Sequence, residues 1–343
     1  MVDMLTNRQQ AILAAIVQDY AKFGRAVGSK TLLQDLQLKV SSATVRNEMA
    51  LLERLGLLEK EHTSSGRIPS QVGYRYYVDE LMNVTDEGFD VNAALQHAFS
   101  QNFQRVDDLV QQAVNELAKV TGYVAIGLKP APLETRLAGF RLVALGGQQV
   151  MAIIVTSDGD VTSQSFRLPD GMDLHSLDSM VQFINQTLVN QPINDVLVSI
   201  NDDLPWKMER VIRTPVAFLQ LFGDVLARSV NEHVYTGGRL NLLDFSEAAD
   251  LQDIKQVFQM IDSPHLMRGA VGSANDGIVV QIGEENRNPL LKGYTLLSEA
   301  YHVPHHGSGV VALLGPTSMP YQKTIKTVNA FTSVLADKVV GYY

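Results

Sequence analysis

Residues 29–75 read SKTLLQDLQLKVSSATVRNEMALLERLGLLEKEHTSSGRIPSQVGYR, and their punctuation decides the fold of the N-terminal part of the chain. Ser29 is placed to cap a short helix whose Leu32, Leu33 and Leu36 form an apolar face. A brief connection follows, and Ser41 or Ser42 caps the next helix. Upstream, Thr6 with Gln9 three residues on is a capping box, and Ile12, Leu13, Ile16, Val17 and Tyr20 make one apolar stripe that ends at Gly24. Three helices so spaced are a helix-turn-helix.

On the third helix Val45, Met49 and Leu52 follow i, i+4, i+7 spacing and face inward, with Leu55 close to the same stripe. The opposite face carries Ala43, Arg46, Asn47 and Ala50, with Thr44 at its edge. Small side chains there let a backbone approach base edges, Arg46 can engage a guanine in bidentate fashion, and Asn47 an adenine or a phosphate. After Gly56, residues 57–61 read as a strand, 62–66 as a polar turn with Gly66 suited to positive φ, and 67–69 as the returning strand of a wing. Ser70 caps a further helix with Tyr74, Arg75, Tyr76 and Tyr77. Double-stranded DNA is the partner this pattern fits, with Thr44, Arg46 and Asn47 reading bases beside Ala43. Lys39, Ser41, Ser42, Thr63, Ser64, Ser65, Arg67 and Arg75 are expected on phosphates. Glu48, Glu53, Glu59 and Glu61 are the wrong sign for this task, so they must point sideways or pair with Arg54 and Lys60.

The whole chain has 343 residues, 45% of them hydrophobic, enough for two or three domains. It carries 28 Lys and Arg against 37 Asp and Glu, a net charge of −9. The distribution matters more: residues 1–80 hold 10 basic and 9 acidic side chains, whereas the remainder is net −10. DNA contact is therefore confined to the N-terminal module, because the rest repels phosphate. With no cysteine, disulfides, zinc-thiolate sites and thiol catalysis are excluded. The opening MVDMLTNRQQ lacks a basic region followed by an apolar run, and no segment nears the ~20 apolar residues of a membrane helix, so a cytoplasmic location with no membrane partner is expected.

Four segments together resemble one known family, the heat-inducible transcription repressor HrcA: TVRNEMALLERLGLLEKEHTSSGRIPSQVGYRYYVDEL at residues 44–81, YTGGRLNLL at 235–243, IGEENRNPL at 282–290 and GVVALLGPTSMPY at 309–321. They follow the family's order and span nearly the whole chain. One departure is Ser318, where the family's motif usually has arginine. The resemblance implies a homodimer on an inverted-repeat operator upstream of chaperone operons, kept active by the chaperonin GroEL. It also implies an α+β architecture: an N-terminal winged helix-turn-helix, then a GAF-like domain interrupted by an inserted dimerisation domain.

The residue pattern divides accordingly into a winged helix at 1–83, a linker with helices at 84–120, a split α+β domain at 121–166 and 240–343, and an insert at 167–239. Residues 84–92 are the expected hinge, with helices at 91–99 and 106–118. Val106, Val110, Ala113 and Leu117 form a heptad-like stripe that suits either a dimer seam or the chain's own sheet. Strands are expected at 123–128, 139–145, 150–156, 277–282, 291–300 and 309–314, with helices at 174–190, 205–233, 248–260 and 321–338. His302, His305 and His306 sit in a Pro- and Gly-bounded turn, an exposed loop rather than a metal site. Gly237-Gly238 and residues 307–309 lack the companions of a phosphate loop and read as turns, and Trp206 as a packing anchor. No catalytic residue, metal or cofactor is expected, and hence no enzyme. The alternative reading is a ligand-sensing winged-helix regulator with a small-molecule pocket in the α+β domain. A metal-dependent enzyme built on the histidine turn lacks a base and a nucleophile.

Overall fold

The computed structural model describes residues 5–36, 40–61, 66–82, 95–96, 99–100, 103–131, 135–157, 159–167, 174–201, 204–205, 215–229, 234–245, 251–271, 277–304 and 307–342. The chain forms two compact units. One comprises Met1–Lys129, Val234–Val303 and Gly309–Tyr343, and the other Pro130–His233 with Pro304–Ser308.

The first unit begins with a head of three helices and a wing. Helix α1, Asn7–Phe23, has the full Thr6–Gln9 capping box and stops at Gly24, whose φ of 63° closes the helix with a bond to the Tyr20 carbonyl. Helix α2, Ser29–Asp35, is capped by Gly28 rather than Ser29, because the Ser29 hydroxyl is turned to Ser42, 3.0 Å away. Helix α3, Ser42–Arg54, takes Ser41 as its cap through a 3.1 Å bond from the Thr44 amide. Strands β1, Leu58–Lys60, and β2, Arg67–Pro69, pair antiparallel with Glu59 opposite Ile68. Val27 adds a bridge to Arg67 through bonds of 2.9 and 3.0 Å. Ile12, Leu13, Ile16, Leu32, Val45, Leu52, Leu57 and Leu58 are fully buried among these elements. At about 1.5–3 kcal/mol each, they are the main favourable term holding the head. Leu55 lies outside that stripe, 37% exposed, because α3 has ended at Arg54.

Two glycines have steric reasons to be there. Gly66 does not take the positive φ expected of it; a Cβ there would sit 2.8 Å from the Ala26 Cβ, so what it permits is close approach of the wing to the strand-like segment after α1. Gly73 lies in helix α4, Gln71–Tyr76, which continues as a single π turn, Tyr77–Leu81. A Cβ on Gly73 would fall 2.0 Å from the Leu57 carbonyl oxygen.

The body of the same unit is an α+β layer structure. Helix α5, Val106–Thr121, precedes strand β3, Val124–Ala131. The other strands are β7, Val234–Gly237, β8, Ile278–Ile282, β9, Tyr294–Val303, and β10, Gly307–Pro316. Their order in the sheet is β7-β3-β10-β9-β8, so strands far apart in sequence are neighbours. β3 pairs antiparallel with β7, Ile126 opposite Thr236, and β8 with β9, Val280 opposite Leu297. The sheet is buried on both faces. Ala125, Leu297, Val311 and Leu313 pack with α5 and with α11, Tyr321–Val340, while Val124, Ile126, Leu296, Ala312 and Leu314 pack with α9, Leu251–Ile261, and α10, Pro264–Val271. This decides the heptad-like stripe: Val110, Ala113 and Leu117 are buried in the chain's own core, and Val106 packs against it.

The second unit has its own sheet, in the order β4-β5-β6, from Leu137–Gly146, Gln149–Thr156 and Val161–Arg167. All pairs are antiparallel, Phe140 standing opposite Ile154 and Ala152 opposite Gln164. Helices α6, Leu174–Leu188, α7, Ile193–Asn201, and α8, Pro215–Ser229, close a core centred on Phe140, whose ring meets Phe222 edge-on at 4.8 Å. Asn185 of α6 accepts from the Phe140 amide at 2.9 Å and donates to its carbonyl at 2.8 Å, completing the free side of β4. The unit therefore starts near Pro130, not at 167, and the strands at 139–145 and 150–156 belong to it. The alternation of apolar residues revealed them as strands but not their sheet. β6 alternates between exposed and half-buried positions, which hid it from the hydrophobic pattern, and β7, given to the insert, pairs instead with β3. The expected hinge at 84–92 and Trp206 lie outside the described residues.

Replacing Gly73 by alanine forces apart two backbones already in contact, so Gly73→Ala is expected to destabilise the protein by about 1–3 kcal/mol. The shift of the urea midpoint against the parent measures it; an unchanged midpoint contradicts the close approach.

Candidate nucleic-acid interface

Helix α3 presents Ala43, Arg46 and Asn47 to solvent and keeps Thr44 half-buried at the edge, as its periodicity predicts, while Ala50, expected on the same face, is half-buried in the groove beside the wing. The Ser41 hydroxyl both caps the helix and lies 2.9 Å from the Thr44 hydroxyl, so the two act together at the start of α3. Ser42, by contrast, faces Ser29 and ties the beginning of α3 to that of α2. Lys39, Thr63, Ser64 and Ser65 lie outside the described residues. Between α3 and the wing runs a groove of about 660 Å³, lined by Asn47, Ala50, Glu53, Arg54, Lys60 and Arg67.

The carboxylates on α3 are neutralised by the head itself. Glu48 accepts from Gln9 at 2.9 Å and from the Arg8 Nε at 2.9 Å, both on α1. The Gln9 bond, with help from Arg8 and against the cost of burial, holds its carboxyl below the usual range. Glu53 is bound by Arg67 across the groove, 2.7 and 2.8 Å, and by Lys60 at 3.3 Å. Burial opposes ionisation there, but the cations outweigh it and the pKa is lowered. The partners are thus Arg8, Gln9, Arg67 and Lys60 rather than Arg54, which no spacing along one helix reveals. Arg67, expected on phosphate, is only 13% exposed at its side chain and serves as the brace between wing and recognition helix.

Arg75 faces the body. Its guanidinium forms a two-armed pair with Glu285, the Nε arm at 2.9 Å, and also reaches Asp79 at 3.1 Å and the Val280 carbonyl at 2.5 Å. Arg75, expected on phosphate, is engaged by these groups of the body and of its own helix. Around it, Gln71 donates to the Ile282 carbonyl at 2.8 Å and accepts from the Glu284 amide at 3.1 Å. The short helical turn Gly283–Glu285 that offers these groups is held by Asn286, whose amide reaches the carbonyls of Gly283, Leu291 and Tyr294 at 2.9–3.1 Å. Beside it Tyr321 stacks obliquely on Tyr74, ring centres 5.8 Å apart, and with Met319 and Ile282 is buried in the head's own core. Two of the four signature segments, 282–290 and 309–321, therefore build the socket of the head. A third acts within the body: Asn241 of 235–243 donates to the Tyr123 carbonyl at 2.9 Å. Glu285, Gln71 and Tyr321 were missed as functional positions; the signal available was their place in those segments. Ser318 is half-buried next to Met319. His302, read as part of an exposed turn, is exposed but lies in β9, residues 307–309, also read as a turn, open β10, and His305 and His306 lie outside the described residues. Among the described residues no helix is long and apolar enough to cross a membrane.

A family profile described as the winged helix-turn-helix transcription repressor, HrcA DNA-binding, matches residues 4–77, and one described as the HrcA protein C terminal domain matches 107–325. Fold and match together define a transcription repressor with a winged-helix DNA-binding head and an α+β body. The heat-inducible transcription repressor HrcA of Limosilactobacillus reuteri is 42% identical over 347 residues, covering 99% of this chain and 98% of its own. That of Enterococcus faecalis is 41% identical over 344 residues, covering 99% of each. The chain belongs to the HrcA family of heat-inducible transcription repressors, whose members are not enzymes. A crystal structure described as that of a hypothetical protein shares the fold, with a TM-score of 0.67 at 23% identity over 99% of this chain and 100% of its own.

Glu285 is held below the usual carboxyl value of 4.5: burial raises it, but Arg75 and the Ile282 amide lower it further. A depressed folded-state pKa stabilises above the unfolded value and is lost as pH falls through the folded one. Urea midpoints should therefore fall as the pH drops below 4.5, and fall less steeply in Glu285→Gln. Parallel curves for variant and parent contradict a stabilising pair.

Proposed function

We propose that the head reads operator DNA by laying α3 in the major groove, with Thr44, Arg46 and Asn47 on base edges, Ala43 allowing close approach, and Ser41 at the phosphate flanking the start of the helix. The observation that carries this reading is electrostatic: the outward face of α3 shows Arg46 and Asn47, while Glu48 and Glu53 on the same helix are tied to Arg8, Gln9, Arg67 and Lys60. The wing residues Thr63, Ser64, Ser65 and the loop residue Lys39 complete the phosphate contacts in this proposal. Arg67 and Arg75 act indirectly, one fixing the wing and the other the head.

The operator in this reading is an inverted repeat upstream of chaperone genes, bound by a homodimer in the cytoplasm. The name shared by the relatives, heat-inducible transcription repressor, supports a target set switched by heat. A single head offers few contacts, and pairing two on a palindrome raises affinity through effective concentration and fixes the half-site spacing. The inserted unit, with a core of its own and the exposed strand β6 at one edge of its sheet, is the proposed dimerisation domain. The chaperonin GroEL is proposed, from the family resemblance, to keep the repressor active, so that unfolded clients relieve repression by occupying it.

Arg46→Ala should weaken operator binding by about 1–3 kcal/mol and relax discrimination at one base pair. Fluorescence anisotropy on specific and scrambled duplexes checks this: equal losses on both remove Arg46 from the base-reading set. Adding GroEL to the same titration tests the chaperonin, which should increase the fraction of repressor able to bind.

A further inference from the structure

Folding leaves a cation of the recognition helix unspent. Arg54 closes the last turn of α3 and is exposed. Among the described residues it has no carboxylate partner, because Glu53 is bound by Lys60 and Arg67, and Glu48 by Arg8 and Gln9. The helix sets where it points: Asn47, Ala50 and Arg54 follow i, i+3, i+7 spacing and form the α3 wall of the groove of about 660 Å³ beside the wing. The wing supplies the other wall. Lys60 and Arg67 stand opposite each other in the β1–β2 pair, an arrangement that repels unless an anion lies close to both. Glu53 gives one negative charge to these two cations, and Arg54 adds a third. Three cations against one carboxylate leave positive charge in excess, in a chain whose net charge is −9.

We propose that this groove is the channel for one sugar–phosphate strand of the DNA, with Arg54 donating to a phosphate and Lys60 bordering the strand. Asn47 lies at once on the outward face of α3 and in the groove wall, so a strand held there runs beside the bases that α3 reads. Ala50, between Asn47 and Arg54 on that wall, leaves the width a backbone needs. The fork of a guanidinium matches two phosphate oxygens, and an exposed arginine keeps its donors available for them. Glu53, turned to the wing and neutralised there, does not oppose the strand. The inference rests on the operator reading and adds to it a residue that grips DNA without reading sequence.

Anisotropy titrations of the full chain on the specific and scrambled duplexes, repeated at several salt concentrations, test the channel. Arg54→Gln should weaken binding to both duplexes by the same factor, about tenfold. It should also flatten the slope of log affinity against log salt by about 0.9, the share of one phosphate. Arg54→Lys, which keeps the charge, should restore the slope. Lys255→Gln, which removes an exposed cation from α9 of the body, should leave affinity and slope unchanged. A slope unaltered in Arg54→Gln, with only the urea midpoint lowered, reduces Arg54 to a stabiliser of the helix end and overturns the proposal. A slope flattened equally by Lys255→Gln, or a loss confined to the specific duplex, overturns it as well. A parent protein that binds both duplexes equally, with the slope still flattened by Arg54→Gln, supports the channel and places the failure in the base-reading face of α3.

Discussion

The head is completed by the body, and the rest of the structure depends on that shared core. Ile282, Met319 and Tyr321 come from segments more than two hundred residues downstream, yet they are buried with Ile12, Leu13 and Leu57 of the head. Small domains bury a modest share of their surface and are marginal alone. Borrowed apolar side chains therefore contribute stability and also restrict how the head sits. The Arg75–Glu285 pair and the two bonds of Gln71 add direction to a contact that hydrophobic burial leaves non-directional.

The same economy governs charge. An acidic chain that meets a polyanion must hide its carboxylates near the contact, and α3 has two that spacing along the helix leaves unaccounted for. They are paired with groups from α1 and the wing, so the salt bridges that brace the head also remove repulsion from its outward face. Partly buried pairs of this kind give back much of their Coulombic gain in lost hydration. Their value here lies in what they subtract from the field around Arg46 and Asn47.

Local chemistry was read well from the chain. The Thr6–Gln9 box, the Ser41 and Ser70 caps, the inward set Val45, Met49 and Leu52, and the outward set Ala43, Arg46 and Asn47 depend on three- and four-residue spacings. Sheet membership was not legible. Strands at 139–145 and 150–156 look alike whether they join the body sheet or, as they do, β6 of the inserted unit, because alternation encodes faces and not partners. Polar β6 and short β7 carried too little apolar signal to be noticed. Gly66 illustrates the same limit, since a glycine permits either a positive φ or close packing and only the neighbour Ala26 decides between them.

The sequence by itself determined where α1 and α3 begin, the face that α3 turns outward, the absence of thiol chemistry and, through four ordered segments, the family. Only the tertiary structure decided where the long polar side chains go. Arg67 and Arg75 have the composition of phosphate ligands, but their guanidinium groups reach carboxylates brought near by folding, and a group pairs with the nearest complementary charge in space whatever its distance along the chain.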